Sequence, residues 1–331
     1  MATSTPTKLE FVTLDVFTDT RYLGNPLAVV FVPADRRQGL TQEKKQLIAR
    51  EYNLSETVFL HLPSSQEADA VEIDIFCVEC ELPFAGHPTI GAAFLILRHL
   101  RWEHVTTLVT KAGPISITSL DGGGVVKARI PHAVHVHMNS LRDLPADRAG
   151  SYEPYLNEKP SIREAEVSAP VVSIVRGMTF VMVRLEGGLD DLSLVTESRR
   201  GLDFGKVAGL LDEGEWAGGF VARYYYVLET PAPVKRGDGK WEVKVRTRMA
   251  ELASEDPATG SASSALACKL ALEWKLREPL VMRNTQGVEM GRKSDIEVEV
   301  VSGVEAGGEV VIKEVYLAGK ATVVMDGNIL L

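Results

Sequence analysis

Two short stretches of this 331-residue chain place chemistry-bearing residues in the same setting. His87-Pro88-Thr89-Ile90-Gly91-Ala92-Ala93 is echoed by Asp256-Pro257-Ala258-Thr259-Gly260-Ser261-Ala262, and an apolar run of helical length follows each copy. An imidazole in one copy and a carboxylate in the other are groups suited to moving protons. The helix start beside each offers free backbone N–H groups, which suit an anion. A cleft that brought the two copies together would hold acid/base groups beside two anion-binding helix ends.

A third ionisable group stands out. Asn53-Leu54-Ser55-Glu56 turns from a helical pattern into the apolar run Thr57-Val58-Phe59-Leu60. Glu56 is therefore a carboxylate at a helix-to-strand junction. From position alone a solvated loop glutamate is the simpler reading; a carboxylate at a lobe edge, tunable by burial, is the sharper one.

Other constellations point away from chemistry. Cys77 and Cys80 have C-x-x-C spacing, but no second pair completes a zinc site and the motif ends a strand rather than opening a helix. Two reduced structural thiols are expected. His135 and His137, close to His132, would share one strand face, yet no carboxylate is interleaved with them. They are expected to lie on a solvated strand, not in a metal site. Gly122-Gly123-Gly124 precedes an alternating stretch, Val125 to Ile130, so it reads as a hairpin turn and not a phosphate loop.

These residues need elements to position them. Val71 to Phe76 and Trp241 to Thr247 alternate as strands before the two motif copies, and Thr107 to Ile117 and Leu280 to Val288 follow their helices. Strand, polar loop, helix start and strand thus occur in both halves. Phe11 to Phe17 alternates, Gly24-Asn25-Pro26 turns, and Leu27 to Val32 resumes; Thr41 can cap a helix to about Tyr52. Between Asn139 and Pro170 the pattern dissolves into Pro, Asp, Arg, Glu and Ser, as in a surface insertion or connection. Strands dominate with one long helix per half, so the class is α+β, with two pseudo-symmetric lobes. The first lobe is expected over residues 1–130, with the last strand at about 320–331 able to return to it. The second is expected over 131–319, including the insertion at about 139–170.

Composition sets the frame. Hydrophobic residues at 45% with charged residues at 24% suffice for a large core. A net charge of −9 argues against nucleic acid or an anionic membrane as partner. No apolar run is long enough to span a bilayer. The first residues lack the apolar core of a secretory signal, and three cysteines fit a reducing compartment, so a cytoplasmic location is expected.

Successive motifs carry a resemblance to the PhzF (phenazine-biosynthesis-like) family. They are Asp15-Val16-Phe17, Gly24 to Val30, Leu54 to Phe59, Glu81 to Gly91, Glu255 to Ala262 and Gln286 to Arg292, in the right order. The resemblance implies the diaminopimelate-epimerase-like fold, in which each lobe is a rolled, mostly antiparallel sheet around a central helix. It also implies an active site in the interlobe cleft, a homodimer, and proton transfer without a cofactor or metal. It gives the proton-transfer role to Glu56, with His87 and Asp256 as polar partners. Gly86, Gly260, Ser261 and Asn25 match positions that hold the substrate, a small carboxylate-bearing metabolite. Epimerase relatives of that fold use one cysteine per lobe as acid and base, and neither motif copy here contains a cysteine. Departures at Phe76-Cys77-Val78 and Arg246 to Met249 imply a remodelled pocket lining.

A cofactor-independent isomerase is therefore the expectation, with a related lyase or epimerase beside it. A metabolite-binding or interaction protein that kept the fold without turnover is the alternative from another class. A binding module has no need of three acid/base groups, which favours the enzyme.

Overall fold

Strands dominate the computed structural model of the chain, which describes residues 8–65, 67–120, 123–195, 206–251 and 254–331. Two units are present, Met1–Ile130 with Ala318–Leu331, and Pro131–Leu317.

The first unit contains β1 (Lys8–Val16), β2 (Asn25–Val32), β3 (Thr57–His61), β4 (Ala70–Phe76), the short β5 (Glu81–Leu82), β6 (Thr107–Thr110), β7 (Gly113–Ser119) and β8 (Val126–Arg129). β1 is antiparallel to β2, β2 parallel to β3, β3 antiparallel to β4, β4 parallel to β6, and β6 antiparallel to β7. β5 folds back on the end of β4. Parallel neighbours need crossovers, and two helices supply them: α1 (Gln42–Tyr52) and α2 (Gly86–Phe94). The Thr41 hydroxyl caps α1 by accepting the Lys44 N–H at 3.3 Å. The chain's final strand, Ala321–Leu330, pairs antiparallel with β1, from Lys8 opposite Leu330 to Val16 opposite Ala321.

Gly86 through Ala93 in α2 are all buried, as expected of a helix that a sheet wraps. Gly91 is what allows the approach: a Cβ there would stand 2.4 Å from Leu27 Cδ2 and 3.0 Å from Val16 Cγ2. β7 and β8 form the expected hairpin, with Ile117 opposite Ala128; of the glycine run between them, Gly122 lies outside the described residues.

The second unit contains β9 (His135–Val136), β10 (Val171–Val175), β11 (Met178–Arg184), β12 (Phe220–Leu228), β13 (Val234–Lys235), β14 (Trp241–Glu251), β15 (Ser254–Asp256), β16 (Leu280–Gln286) and β17 (Ser294–Val304). Its pairings run antiparallel from β10 to β11, parallel to β12, antiparallel to β14, parallel to β16 and antiparallel to β17. β15 folds back on β14. This is the same alternation, with the same fold-back before the helix, as in the first unit. The repeated motif is thus the trace of a repeated topology. Its helices are α3 (Ala149–Tyr152), α4 (Pro160–Ser168), α5 (Gly188–Ser193) and α6 (Gly260–Glu273), the last making the β14-to-β16 crossover.

The stretch Asn139 to Pro170, read as a patternless surface insertion, is built differently. Short helical turns and α4 carry Leu141, Leu144, Tyr152, Leu156 and Ile162 into one core with Val171, Val181, Val183 and Val221. Pro145, Pro154 and Pro160 break the segment into short turns and one nine-residue helix, too brief for a helical pattern to stand out in sequence. Glu166 of α4 is buried as well, and the Arg223 guanidinium, the Tyr225 hydroxyl and the Asn157 N–H all donate to it. A buried carboxylate needs this number of donors.

Candidate active site

Glu56 and His87 come together within the first unit. α1 ends at Asn53, whose left-handed φ of 51° turns the chain, and Glu56 then stands immediately before β3. Its side chain keeps 18% of its surface exposed, while that of His87, in the first turn of α2, keeps 6%. His87 Nε2 lies 3.5 Å from Glu56 Oε2.

The state of His87 follows from its surroundings. The Asn25 side-chain N–H donates to Nδ1 at 3.4 Å, which leaves the ring proton on Nε2, the nitrogen facing Glu56. Burial pushes the His87 pKa down to about 3, so the ring is neutral at physiological pH. Nε2 is itself buried and makes no hydrogen bond among the described residues. A neutral N–H is thus presented beside the Glu56 side chain. Asn25 is 1% exposed, so its contact with His87 is made in the interior. Gly86 opens α2 and is buried.

Asp256 belongs to the second unit, where it ends β15 opposite Met249 and is half-buried. The Thr259 hydroxyl donates to its Oδ2 at 2.6 Å. Gly260 and Ser261 form the first turn of α6, and both are buried. The hairpin that delivers Asp256 is stapled by Arg248 and Glu255, buried, with two parallel N–H···O bonds of 2.8 and 2.7 Å. A third Arg248 N–H donates to the Leu192 carbonyl at 3.0 Å.

Sequence reasoning missed Thr259, Gln286 and Tyr224 as members of the hydrogen-bonded group around Asp256. Gln286 ends β16 and is fully buried; its Nε2 donates to the Asp256 carbonyl at 2.8 Å and to Thr259 Oγ1 at 3.0 Å. Its Oε1 accepts the Thr259 N–H at 3.2 Å and the Tyr224 hydroxyl at 2.9 Å. The Tyr224 hydroxyl also accepts from Asn284 Nδ2 at 2.8 Å. Gln286 opens a motif that carried the resemblance and Thr259 lies inside the repeat, so both were visible. Nothing in sequence could say that they converge on Asp256.

The remaining candidates are settled by their contacts. Cys77 and Cys80 are free thiols with sulfurs 3.7 Å apart, and burial pushes Cys77 up to about 11, away from the thiolate that metal binding or redox exchange needs. His135 and His137 are not on a solvated strand: His137 is buried, and a carboxylate absent from their own segment arrives as Asp212. His135 Nε2 meets Asp212 Oδ2 at 2.7 Å, and the three side chains are close enough to hold a metal ion. Both nitrogens of His137 are engaged, however: Nδ1 accepts the Asp212 N–H at 3.0 Å and Nε2 meets Ser173 Oγ at 2.9 Å. The group acts as a polar clasp fastening β9 to the Asp212 turn. No described helix is long and apolar enough to cross a membrane.

The family model for phenazine biosynthesis-like proteins matches residues 14–188 and 249–327. An uncharacterized isomerase of Mesorhizobium japonicum is 30% identical, covering 95% of this chain and 96% of its own length. The trans-2,3-dihydro-3-hydroxyanthranilate isomerase of Pseudomonas fluorescens is 29% identical over 86% of this chain and 87% of its own. In fold, the chain resembles the PhzF-family phenazine biosynthesis protein of Bacillus anthracis, with a TM-score of 0.69 and 24% identity over 98% of this chain and all of that one. The chain belongs to the phenazine biosynthesis-like family and is an isomerase of the PhzF kind.

Proposed function

We propose that the protein moves a proton between two carbons of a small, carboxylate-bearing substrate, without a cofactor, and that Glu56 carries the proton. The supporting observation is the neutral His87 N–H set 3.5 Å from the Glu56 carboxylate. Glu56 would take a proton from one carbon as the electron pair shifts along the adjoining unsaturated system. It would then return that proton to a second carbon, leaving the enzyme unchanged. The His87 N–H would orient Glu56 and hydrogen-bond to charge building up on the substrate. Asp256 is proposed as a further polar partner in the same reaction, with Gly86, Gly260 and Ser261 offering backbone close to the substrate and the helix-start N–H groups suiting its carboxylate.

A relative's activity supplies the first substrate to try, trans-2,3-dihydro-3-hydroxyanthranilate. That compound, or a cyclic carboxylate like it, should isomerise in heavy water with deuterium entering at the carbon that receives the proton. Glu56→Gln should stop that incorporation. If the variant incorporated deuterium as fast as the native protein, the proton shuttle would lie elsewhere.

A further inference from the structure

We infer that Gln286 and Thr259 are positioning residues: Gln286 presents the Thr259 hydroxyl to the Asp256 carboxylate and so fixes the direction in which that carboxylate points. The inference rests on the reading above in taking Asp256 as part of the reaction.

The donor and acceptor roles leave one arrangement. The Thr259 backbone N–H can only donate, so the atom of Gln286 facing it at 3.2 Å is the amide oxygen. The Asp256 carbonyl can only accept, so the atom facing it at 2.8 Å is the amide nitrogen. The amide is clamped, and its second N–H has Thr259 Oγ1 at 3.0 Å. With that lone pair taken, the Thr259 hydroxyl must aim its single proton away from Gln286. Two acceptors are within reach, Asp256 Oδ2 at 2.6 Å and Met249 Sδ at 3.0 Å. A carboxylate far outcompetes a thioether. Gln286, Thr259 and Tyr224 are all buried, so water does not compete readily for these groups.

Tyr224 secures the far end. Asn284 donates to its oxygen at 2.8 Å, and the phenolic group can donate to Gln286 Oε1 at 2.9 Å, with the Thr247 and Ser263 hydroxyls beside it at 2.9 and 2.8 Å. Gln286, Thr259 and Asp256 thus form a line in which each donor points toward the carboxylate. Gly287 keeps the start of this line in place. It has φ +73°, and a Cβ there would stand 2.7 Å from the Pro257 carbonyl oxygen.

A merely structural role for Gln286 would be to brace the turn through the backbone of Asp256 and Thr259. Thr259→Val separates the two roles, because it keeps both backbone bonds and the side-chain shape while removing the hydroxyl. The expected result is a kcat lowered about 10-fold with KM near native, a melting temperature lowered by the stranded Gln286 N–H, and recovery of both in Thr259→Ser. Gln286→Glu keeps the acceptor for the Thr259 N–H but loses both donated bonds, and it should show the same fall in kcat. Should Thr259→Val fail to fold, Thr259→Ala removes the same hydroxyl while keeping both backbone bonds, and Thr259→Ser remains the variant that should restore kcat. A second readout needs no substrate: the Asp256 carboxyl carbon resonance of the full-length protein should move in Thr259→Val and return in Thr259→Ser. An unmoved resonance together with native kcat in Thr259→Val overturns the inference. Asp256→Asn, assayed alongside, tests the reading beneath it. If that variant turns over normally, the role of Asp256 is what fails, while the resonance still reports whether Thr259 orients it.

Discussion

His87 Nε2 and Glu56 Oε2 stand 3.5 Å apart, the first on the opening turn of α2 and the second at the entry to β3. Thirty-odd residues of chain separate them, and each is delivered by a different crossover of one sheet. Asn25, at the start of β2, fixes which imidazole nitrogen carries the proton. Three elements therefore define one protonation state.

Glu56→Gln keeps the size and hydrogen-bonding capacity of the side chain and removes the transferable charge. Turnover should fall by roughly 10² to 10⁴, with substrate affinity much less affected. Steady-state kinetics on the active substrate, with equilibrium binding beside it, checks both parts. Near-native turnover would remove Glu56 from the mechanism.

His87 gives a pH dependence of stability. Its folded pKa, about 3, lies below the ordinary value of 6.5. Between those values the unfolded chain binds a proton that the native protein does not, so the stability contribution of neutral His87 is full above 6.5 and is lost as pH falls toward 3. The slope approaches about 1.4 kcal/mol per pH unit within that window. Urea unfolding at pH 7 and pH 4.5 should show a smaller acid loss in His87→Asn than in the native protein. Equal losses in the two would contradict a buried neutral imidazole.

The Arg248–Glu255 pair should behave as a buried staple. Arg248→Met leaves the Glu255 carboxylate buried without its partner, at a cost of about 3–5 kcal/mol. Pairing it with Glu255→Gln should recover part of that loss, since the stranded charge is gone. Denaturant midpoints of the single and double variants measure the difference; a double variant worse than the sum of the two singles would go against this account.

Gly91→Ala pits two effects against each other. Alanine gains up to about 1 kcal/mol of helix propensity. Its methyl would stand 2.4 Å from Leu27 and 3.0 Å from Val16, within a packed core. Overpacking of this kind costs about 1–3 kcal/mol, so net destabilisation is expected in thermal unfolding. A raised melting temperature would mean that Leu27 can move aside at little cost.

Cys77 should alkylate slowly. Its thiol is shifted up to about 11 by burial, so little thiolate exists at neutral pH. Iodoacetamide at pH 7.5, with mass spectrometry of the peptides, should modify Cys80 well before Cys77. Faster reaction at Cys77 would mean the loop opens.

Local pattern was enough to give several things. Alternation in Val71–Phe76 and Trp241–Thr247, apolar helices after His87 and Asp256, and glycine at fixed offsets lie within a few residues of one another. Period and turn chemistry therefore determine them before any long-range contact forms, and they gave the α+β class and the family. The run Asn139 to Pro170 shows where that reasoning stops. Its prolines cut it into short turns and one nine-residue helix, and only the shared core with Val171 and Val181 decides that Leu141 and Ile162 are interior. Pairings across long stretches of chain were likewise invisible. Asp212 lies 75 residues beyond the His137 ring that its N–H meets, Gln286 lies 27 beyond Thr259, and Asn25 lies 62 before His87. Sequence supplied the ionisable groups and the elements that carry them. Tertiary structure decided their protonation and direction, because those depend on which atoms donate, which accept and how much water remains, and only the folded chain sets these.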